Sequence, residues 1–240
     1  MVDERNIQEE RRSVFENYAE VTVTNFQKRR INAQYVPNRE EALSKVLDLI
    51  PSGATVGWGD SVTLHQVGVI SKLREMKSIQ LFDPFERDDE GYLVVPGPGH
   101  LELMKKAATA DIFLTGTNAV TMDGKLVSID AIGNRVAPLL FGPKRVIVVA
   151  GANKIVRDID EAMKRIRIAA PLNVKRHYLK HNFKGLENVP CMKTGICVDC
   201  RRPERICSYI VVVEAEQQPL GAVDYLPRIH VMIIGEELGL

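Results

Sequence analysis

Apolar residues recur at three- and four-residue intervals through 4–29, where Ile7, Val14, Phe15, Tyr18, Val21 and Phe26 stand among charges. This spacing predicts a long helix with those residues on its apolar face. A short strand is expected at 31–36. A second helix follows from Asn38, a good N-cap, with Glu40 and Glu41 where the helix dipole favours acids. Pro51, Ser52 and Gly53 end it near residue 50. From there short β-rich runs alternate with helical ones. Strands are expected at 54–57, 78–82, 111–115 and 145–150. Helices are expected at 61–74, 100–108, 133–140 and 158–169, the last closed by Pro171, and residues 91–99 form a Gly- and Pro-rich loop. Asp123-Gly124 between apolar runs at 119–121 and 125–129 signals a hairpin. Two late apolar runs, 208–215 and 228–234, complete the set.

Strands alternating with helices of this length imply an α/β fold, a mostly parallel sheet covered by helices on both faces, with the hairpin as an antiparallel piece. No repeat, low-complexity stretch or linker divides the sequence. One domain over 1–240 is expected, with an N-terminal helix within 1–30 and a late Cys-rich, metal-binding insertion at 175–207. The late apolar strands suit either an internal position or edge pairing in a homo-oligomer.

Charge narrows the class. The 32 Lys and Arg nearly cancel the 31 Asp and Glu, for a net +1, so neither nucleic acid nor an anionic membrane surface is an expected partner. With 45% apolar residues the chain of 240 can bury a full core. Its longest apolar runs, such as 146–152 and 209–213, are strand-sized, so no membrane span is expected. Residues 2–12 are charged throughout and contain no signal-peptide core, which makes a cytoplasmic location the default.

Three expected strands end in polar, Gly-containing turns: Gly57-Trp-Gly-Asp-Ser61, Gly116-Thr-Asn118 and Gly151-Ala-Asn-Lys154. If the strands are parallel the turns meet at one sheet edge, where α/β proteins bind ligands. Gly57 and Gly59 would let backbone N–H groups approach an anion, Ser61 and Thr63 offer hydroxyls, Asn118 and Asn153 amides, and Lys154 a charge. The first turn fits neither the dinucleotide fingerprint nor a P-loop, and a plain strand-to-helix turn capped by Ser61 explains it equally well. After the hairpin, Asp130, Asn134 and Arg135 add to the set. Asp130 suits either acid/base work or capping of the next helix, and Arg135 either carboxylate binding or a surface position. A small carboxylate or phosphate-bearing ligand is the expected occupant.

All four cysteines lie between residues 191 and 207, as Cys191, Cys197, Cys200 and Cys207. Four thiols in one short loop suit either tetrahedral Zn²⁺ or a [4Fe–4S] cluster, and the spacing decides for neither. Lys193, Arg201, Arg202 and Arg205 stand where they could offset the negative charge of a thiolate site. Without a secretory signal, disulfides are disfavoured. His177 and His181, four residues apart, suit a metal pair or a plain helix surface. Glu86-Arg-Asp-Asp-Glu90 reads as a solvated turn. Glu214 and Glu236, at strand ends, are candidate acyl-accepting carboxylates, and Trp58 and His65 either line the pocket or pack beneath it.

The run Asn118-Ala-Val-Thr-Met-Asp-Gly-Lys-Leu-Val-Ser-Ile-Asp130 and the Ala-Ile-Gly-Asn-Arg-Val-Ala137 that follows resemble the LUD domain family, named for lactate utilisation. So do Phe141-Gly-Pro-Lys-Arg-Val-Ile-Val-Val-Ala-Gly-Ala-Asn-Lys-Ile-Val156, Ala170-Pro-Leu-Asn173 and Gly235-Glu-Glu-Leu-Gly239, so the likeness covers the chain from about residue 10 onward. It implies a fold like that of the sugar-phosphate isomerase and CoA-transferase superfamily. It also implies an oxidoreductase subunit carrying iron–sulfur and acting with iron–sulfur or flavin partners in the oxidation of L-lactate or a related 2-hydroxy acid. The alternative is a Zn-stapled ligand-binding or regulatory module without redox chemistry. Asn118 stands where isomerases of that superfamily would carry a catalytic Asp, and an amide cannot act as a general base.

Overall fold

A computed structural model describes residues 4, 6–218 and 226–240. Of the expected N-terminal segment, residues 1–3 and 5 lie outside the described residues. The elements are helix α1 (Gln8–Lys28), strand β1 (Asn32–Val36), α2 (Arg39–Asp48), β2 (Thr55–Trp58), α3 (Val62–Val67), α4 (Val69–Glu75) and β3 (Gln80–Phe82). They continue with α5 (Pro98–Ala108), β4 (Ile112–Gly116), β5 (Ala119–Thr121), β6 (Leu126–Asp130), α6 (Ala137–Leu140), β7 (Arg145–Gly151) and β8 (Ile155–Val156). Last come α7 (Ile159–Lys180), α8 (Pro190–Thr194), β9 (Tyr209–Val213) and β10 (Ile229–Ile234).

Six strands form a parallel sheet in the order β1-β10-β7-β4-β2-β3, and four form a smaller one, β8-β5-β6-β9. All neighbours in the first sheet are parallel, while β6 runs antiparallel to both β5 and β9 in the second. Strand alternation sorts the core into two layers. Ile147 and Val149 of β7, with Met232 and Ile234 of β10, pack under α2, α3 and α4. Val146, Val148 and Ala150, with Val231 and Ile233, pack against Ala19 and Phe26 of α1 and against Val120 and Leu126 of the small sheet. The far side of the small sheet is covered by Ala162 and Ile166 of α7. One face of the parallel sheet therefore meets helices alone, and the other meets a helix and a second sheet.

Asn38 caps α2 as its chemistry predicts, its Oδ1 accepting from the Glu41 N–H at 2.9 Å. Three expectations are corrected. On α1 the buried positions are Ala19, Thr22 and Phe26, whereas Ile7, Val14, Tyr18 and Val21 are exposed, so the larger apolar stripe faces outward. The helix expected at 61–74 is two helices, because Gly68 adopts φ 84° and turns the chain between them. Pro171 does not end α7, which runs nine residues past it to Lys180. Tertiary packing compensates for the hydrogen bond Pro171 removes: beyond it, Val174 is buried against Leu186, Val189 and Cys191, the small core of the cysteine-bearing lobe.

Candidate functional site

Strands β2, β4 and β7 are neighbours and parallel, so their three polar turns meet at one edge of the sheet. A cavity of about 550 Å³ opens there. Asp60, Ser61, Thr117, Asn118 and Lys154 line its sheet side, with Asp130, Asn134 and Arg135 from the segment after β6. The opposite wall comes from α7 and the cysteine-bearing lobe.

The sheet side is cationic. Lys154 is buried, and its Nζ donates to Thr63 Oγ1 at 3.0 Å and to the Thr117 carbonyl at 3.1 Å. Arg135 donates to Asn118 Oδ1 at 3.0 Å and to the Ile129 carbonyl. Arg165, on α7, donates to the carbonyls of Asn153, Asn118 and Leu240. None of these hydrogen bonds goes to an Asp or Glu side chain, and the Asp130 and Asp60 carboxylates act on Arg135 only without a side-chain bond to it. Burying such charges without a bonded side-chain carboxylate is costly. Burial, and then the charges of Arg165 and Arg135, bring Lys154 down to about 7, and burial lowers Arg135 and Arg165 as well.

Asp130 sits beside this group but is occupied. Its Oδ1 accepts from the Ala131 N–H at 2.7 Å, and its Oδ2 from the N–H groups of Arg135 at 2.9 Å and Val136 at 3.2 Å. These bonds assign it to shaping the loop that delivers Arg135. Ser61 lines the cavity and caps α3, its Oγ accepting from the Leu64 N–H at 3.4 Å. Asn153 lies outside the wall, where its Oδ1 accepts from the Leu238 N–H.

Gly57 and Gly59 are not part of the wall either, and their reason for being glycine is packing. A Cβ on Gly57 would lie 2.1 Å from the Ala107 carbonyl oxygen, where α5 crosses β2. A Cβ on Gly59 would lie 2.8 Å from Arg135 Cγ, so Gly59 makes room for the cation. Trp58 and His65 pack beneath, with ring centroids 5.4 Å apart.

A second cluster joins His177 and His181, the pair the sequence offered, to Asp60 and Arg176, whose part in it the sequence did not indicate. Arg176 on α7 holds Asp60 through two nitrogens, at 2.5 and 3.3 Å, and lies 3.1 Å from Nε2 of both His177 and His181. Burial pushes the Asp60 carboxyl up, but Arg176, His181 and His177 outweigh it and hold it at about 2. His177 falls to about 4 through burial and the Arg176 charge, so its ring is neutral at neutral pH. Asp60, His177 and His181 bring ligand atoms within 4.8 Å of one another, a metal-triad spacing. The Arg176 guanidinium already takes the cation's place among them, so this cluster is read as an internally compensated one.

The four cysteines are unpaired and all line the same cavity. Burial and mutual repulsion raise the Cys191 and Cys207 thiols, and Arg205 counteracts this at Cys207 while also donating to the Cys200 carbonyl at 2.7 Å. Arg202 instead pairs with Glu204. Four free thiols close enough to repel one another, with a guanidinium alongside, are a donor set that fits a metal centre.

The remaining candidates lie elsewhere. Glu236 is engaged by Arg39, at 2.7 Å to its backbone N–H and 2.8 Å to Nε, and the exposed Glu214 lies 3.4 Å from Lys125. Neither reaches the cavity wall, which removes the acyl-transfer reading. Glu86, Asp88, Asp89 and Glu90 form an exposed turn as expected.

With cavity, cations and cysteines on the page, comparison with known proteins adds the family. A model described as the LUD domain matches residues 19–211, which include the cavity's sheet side and the whole cysteine segment. The chain belongs to the LUD domain family. Among solved structures this LUD-family chain is similar to a DUF162 family protein from Deinococcus radiodurans, with 12% identity over 93% of this chain and 98% of that one and a TM-score of 0.46. No curated protein matches the sequence. Among the described residues no helix is long and apolar enough to cross a membrane.

Proposed function

We propose that this LUD-family protein is an iron–sulfur subunit that binds a small carboxylate and takes part in the oxidation of L-lactate or a related 2-hydroxy acid. The observation that carries this reading is that the four free cysteines share one cavity with Lys154 and Arg135, two cations that hydrogen-bond to no carboxylate side chain. Cys191, Cys197, Cys200 and Cys207 would hold the cluster, which supplies one-electron transfer when bound. Tetrahedral Zn²⁺ on the same four sulfurs is the alternative.

The protein's own residues divide the remaining work. Arg135, steadied by Asn118 and the Ile129 carbonyl, receives the carboxylate of the acid, and the Lys154 and Arg165 charges deepen the same potential. Asn118 spends its Oδ1 on Arg135 and on the Ile129 N–H, which leaves its amide N–H₂ for an oxygen of the ligand. His177, neutral at neutral pH, already accepts from Arg176 through Nε2 and serves as part of the cavity wall. Conversion of a 2-hydroxy acid to a 2-oxo acid releases two electrons and two protons, so a flavin or iron–sulfur partner subunit must take up the electrons.

Anaerobic purification followed by iron, sulfide and zinc analysis, a visible spectrum, and calorimetry with L-lactate tests both halves. Iron and sulfide near four per chain, with colour bleached by reductant and saturable lactate binding, is the expected result. One zinc, no colour and no binding of the acid overturns it.

A further inference from the structure

We infer that Lys154 is a carbonyl-capturing residue, which forms an imine with 2-oxo acids through its Nζ. The inference rests on the reading of the cavity as a carboxylate site and goes beyond it in assigning covalent chemistry to one side chain.

Three features of the molecule converge on this amine. Lys154 is set by the turn after β7, at the floor of the cavity, and is almost wholly removed from solvent. Its Nζ has two acceptors, Thr63 Oγ1 and the Thr117 carbonyl. An uncharged amine has two N–H bonds and one lone pair, so these two acceptors satisfy both hydrogens and leave the lone pair free. The charges that bear on it are also of one sign: Arg165 from α7 and Arg135 from the segment after β6. An ammonium placed among guanidiniums in a dry site is disfavoured, and the amine form, the nucleophile, is favoured. Burial brings Lys154 to about 7, so much of it is uncharged at neutral pH.

The same arrangement selects the partner. Arg135 is held by Asn118, which follows Thr117, the residue whose carbonyl accepts from Lys154. Both side chains line the one cavity and the Arg135 charge acts on Lys154, so the ligand that suits both has a carboxylate on Arg135 and a carbonyl carbon one bond away toward the amine, which is the structure of a 2-oxo acid. The lone pair adds to the C2 carbonyl, the carbinolamine loses its oxygen as water with both amine protons, and a C=N bond to Lys154 remains. No oxidant or reductant is consumed.

The test uses the full-length protein as purified, with pyruvate as the probe and borohydride to trap the imine by reduction to a secondary amine. Intact mass should increase by one pyruvic acid less one oxygen atom, and peptide mapping should place the adduct on Lys154. Labelling should be lost in Lys154→Met and kept in Lys144→Met, where the lysine is exposed and pairs with Asp111 at 2.7 Å. Prior L-lactate should slow the labelling. An adduct confined to exposed lysines, or no adduct at all, overturns the inference, and mapping on the parent protein decides this even if Lys154→Met folds poorly. Calorimetric binding of pyruvate without an adduct on Lys154 removes the imine and leaves the carboxylate site standing, whereas absence of both removes the site as well.

Discussion

Arg176 holds Asp60 by two nitrogens, at 2.5 and 3.3 Å, and so pins α7 to the turn after β2 across 116 residues of sequence. Removing one partner leaves a buried charge alone, which is more damaging than removing both. Arg176→Met should cost about 3 kcal/mol of stability in urea titrations at pH 7. The double variant with Asp60→Asn should recover at least half of that. A double variant no better than the single one would show that the pair is not the source of the loss.

The same pair sets an acid limit. The Asp60 carboxyl titrates at about 2 when folded and near 3.8 when unfolded. Its stabilising effect is therefore complete above the unfolded value and lost as pH falls through the folded one. Relative to Asp60→Asn, the parent should lose about 2 kcal/mol between pH 4 and pH 2. Parallel acid profiles for the two proteins would contradict this.

Lys154 shows the same sign of linkage at higher pH, with burial as its cause. Its amine releases its proton at about 7 when folded but near 10.5 when unfolded. Between those values the unfolded chain binds more protons, so stability rises with pH across the interval. Lys154→Met should accordingly be more stable than the parent at pH 7, by about 1–3 kcal/mol, with the gap narrowing toward pH 10. Thermal unfolding of both proteins across that range measures it. A gap that widens with pH would argue against the burial penalty.

Gly57 within β2 and Gly59 just after it should respond differently to alanine. Gly57→Ala drives a Cβ into the backbone of α5, 2.1 Å from the Ala107 oxygen, and should cost about 3 kcal/mol or prevent folding. Gly59→Ala meets only the flexible side chain of Arg135, at 2.8 Å, and the edge of Phe113, at 3.3 Å. The second variant should fold, displace the guanidinium and weaken lactate binding about tenfold, or about 1.4 kcal/mol. Equal affinity in Gly59→Ala and parent would separate Arg135 from the carboxylate.

For the cysteines the expected readout is metal content. Cys197→Ser and Cys200→Ser, changed one at a time in positions that are only half-buried, should lower iron and sulfide per chain to below half the parent's value with far-UV circular dichroism unchanged. Unchanged iron in both would place the metal elsewhere.

The sequence made the strand ends legible because a parallel strand is a short β-branched run that stops at glycine, as β7 does at Gly151. The convergence of Asn118 and Lys154 follows from that alone. Side-chain pairing over long distance was not legible. Arg165 and Arg176 look like the solvated face of a helix until the helix is laid across the cavity, and Asp60 looks like turn chemistry until Arg176 reaches it. Pro171 misled for a related reason: local propensity ends the helix there, and the buried contact of Val174 in the cysteine-bearing lobe keeps it going. On α1 the spacing of Val14, Tyr18 and Val21 is a helix signal, yet the small residues Ala19 and Thr22 are what allow the helix to lie close to the sheet.

Strand β10 lies between β1 and β7, and its partner residues on β1 are 198 positions earlier, as Asn32 and His230 show. During synthesis on the ribosome β1 emerges early and has no neighbour to pair with until the last strand of the sheet is made. Its edge waits for most of the elongation time, with Ala33 and Val36 unburied. Closure of so long a loop is slow compared with the helix-to-strand contacts formed in between. Completion of the parallel sheet thus waits for residues 229–234, and a nascent chain stalled before residue 229 holds an open, aggregation-prone sheet edge.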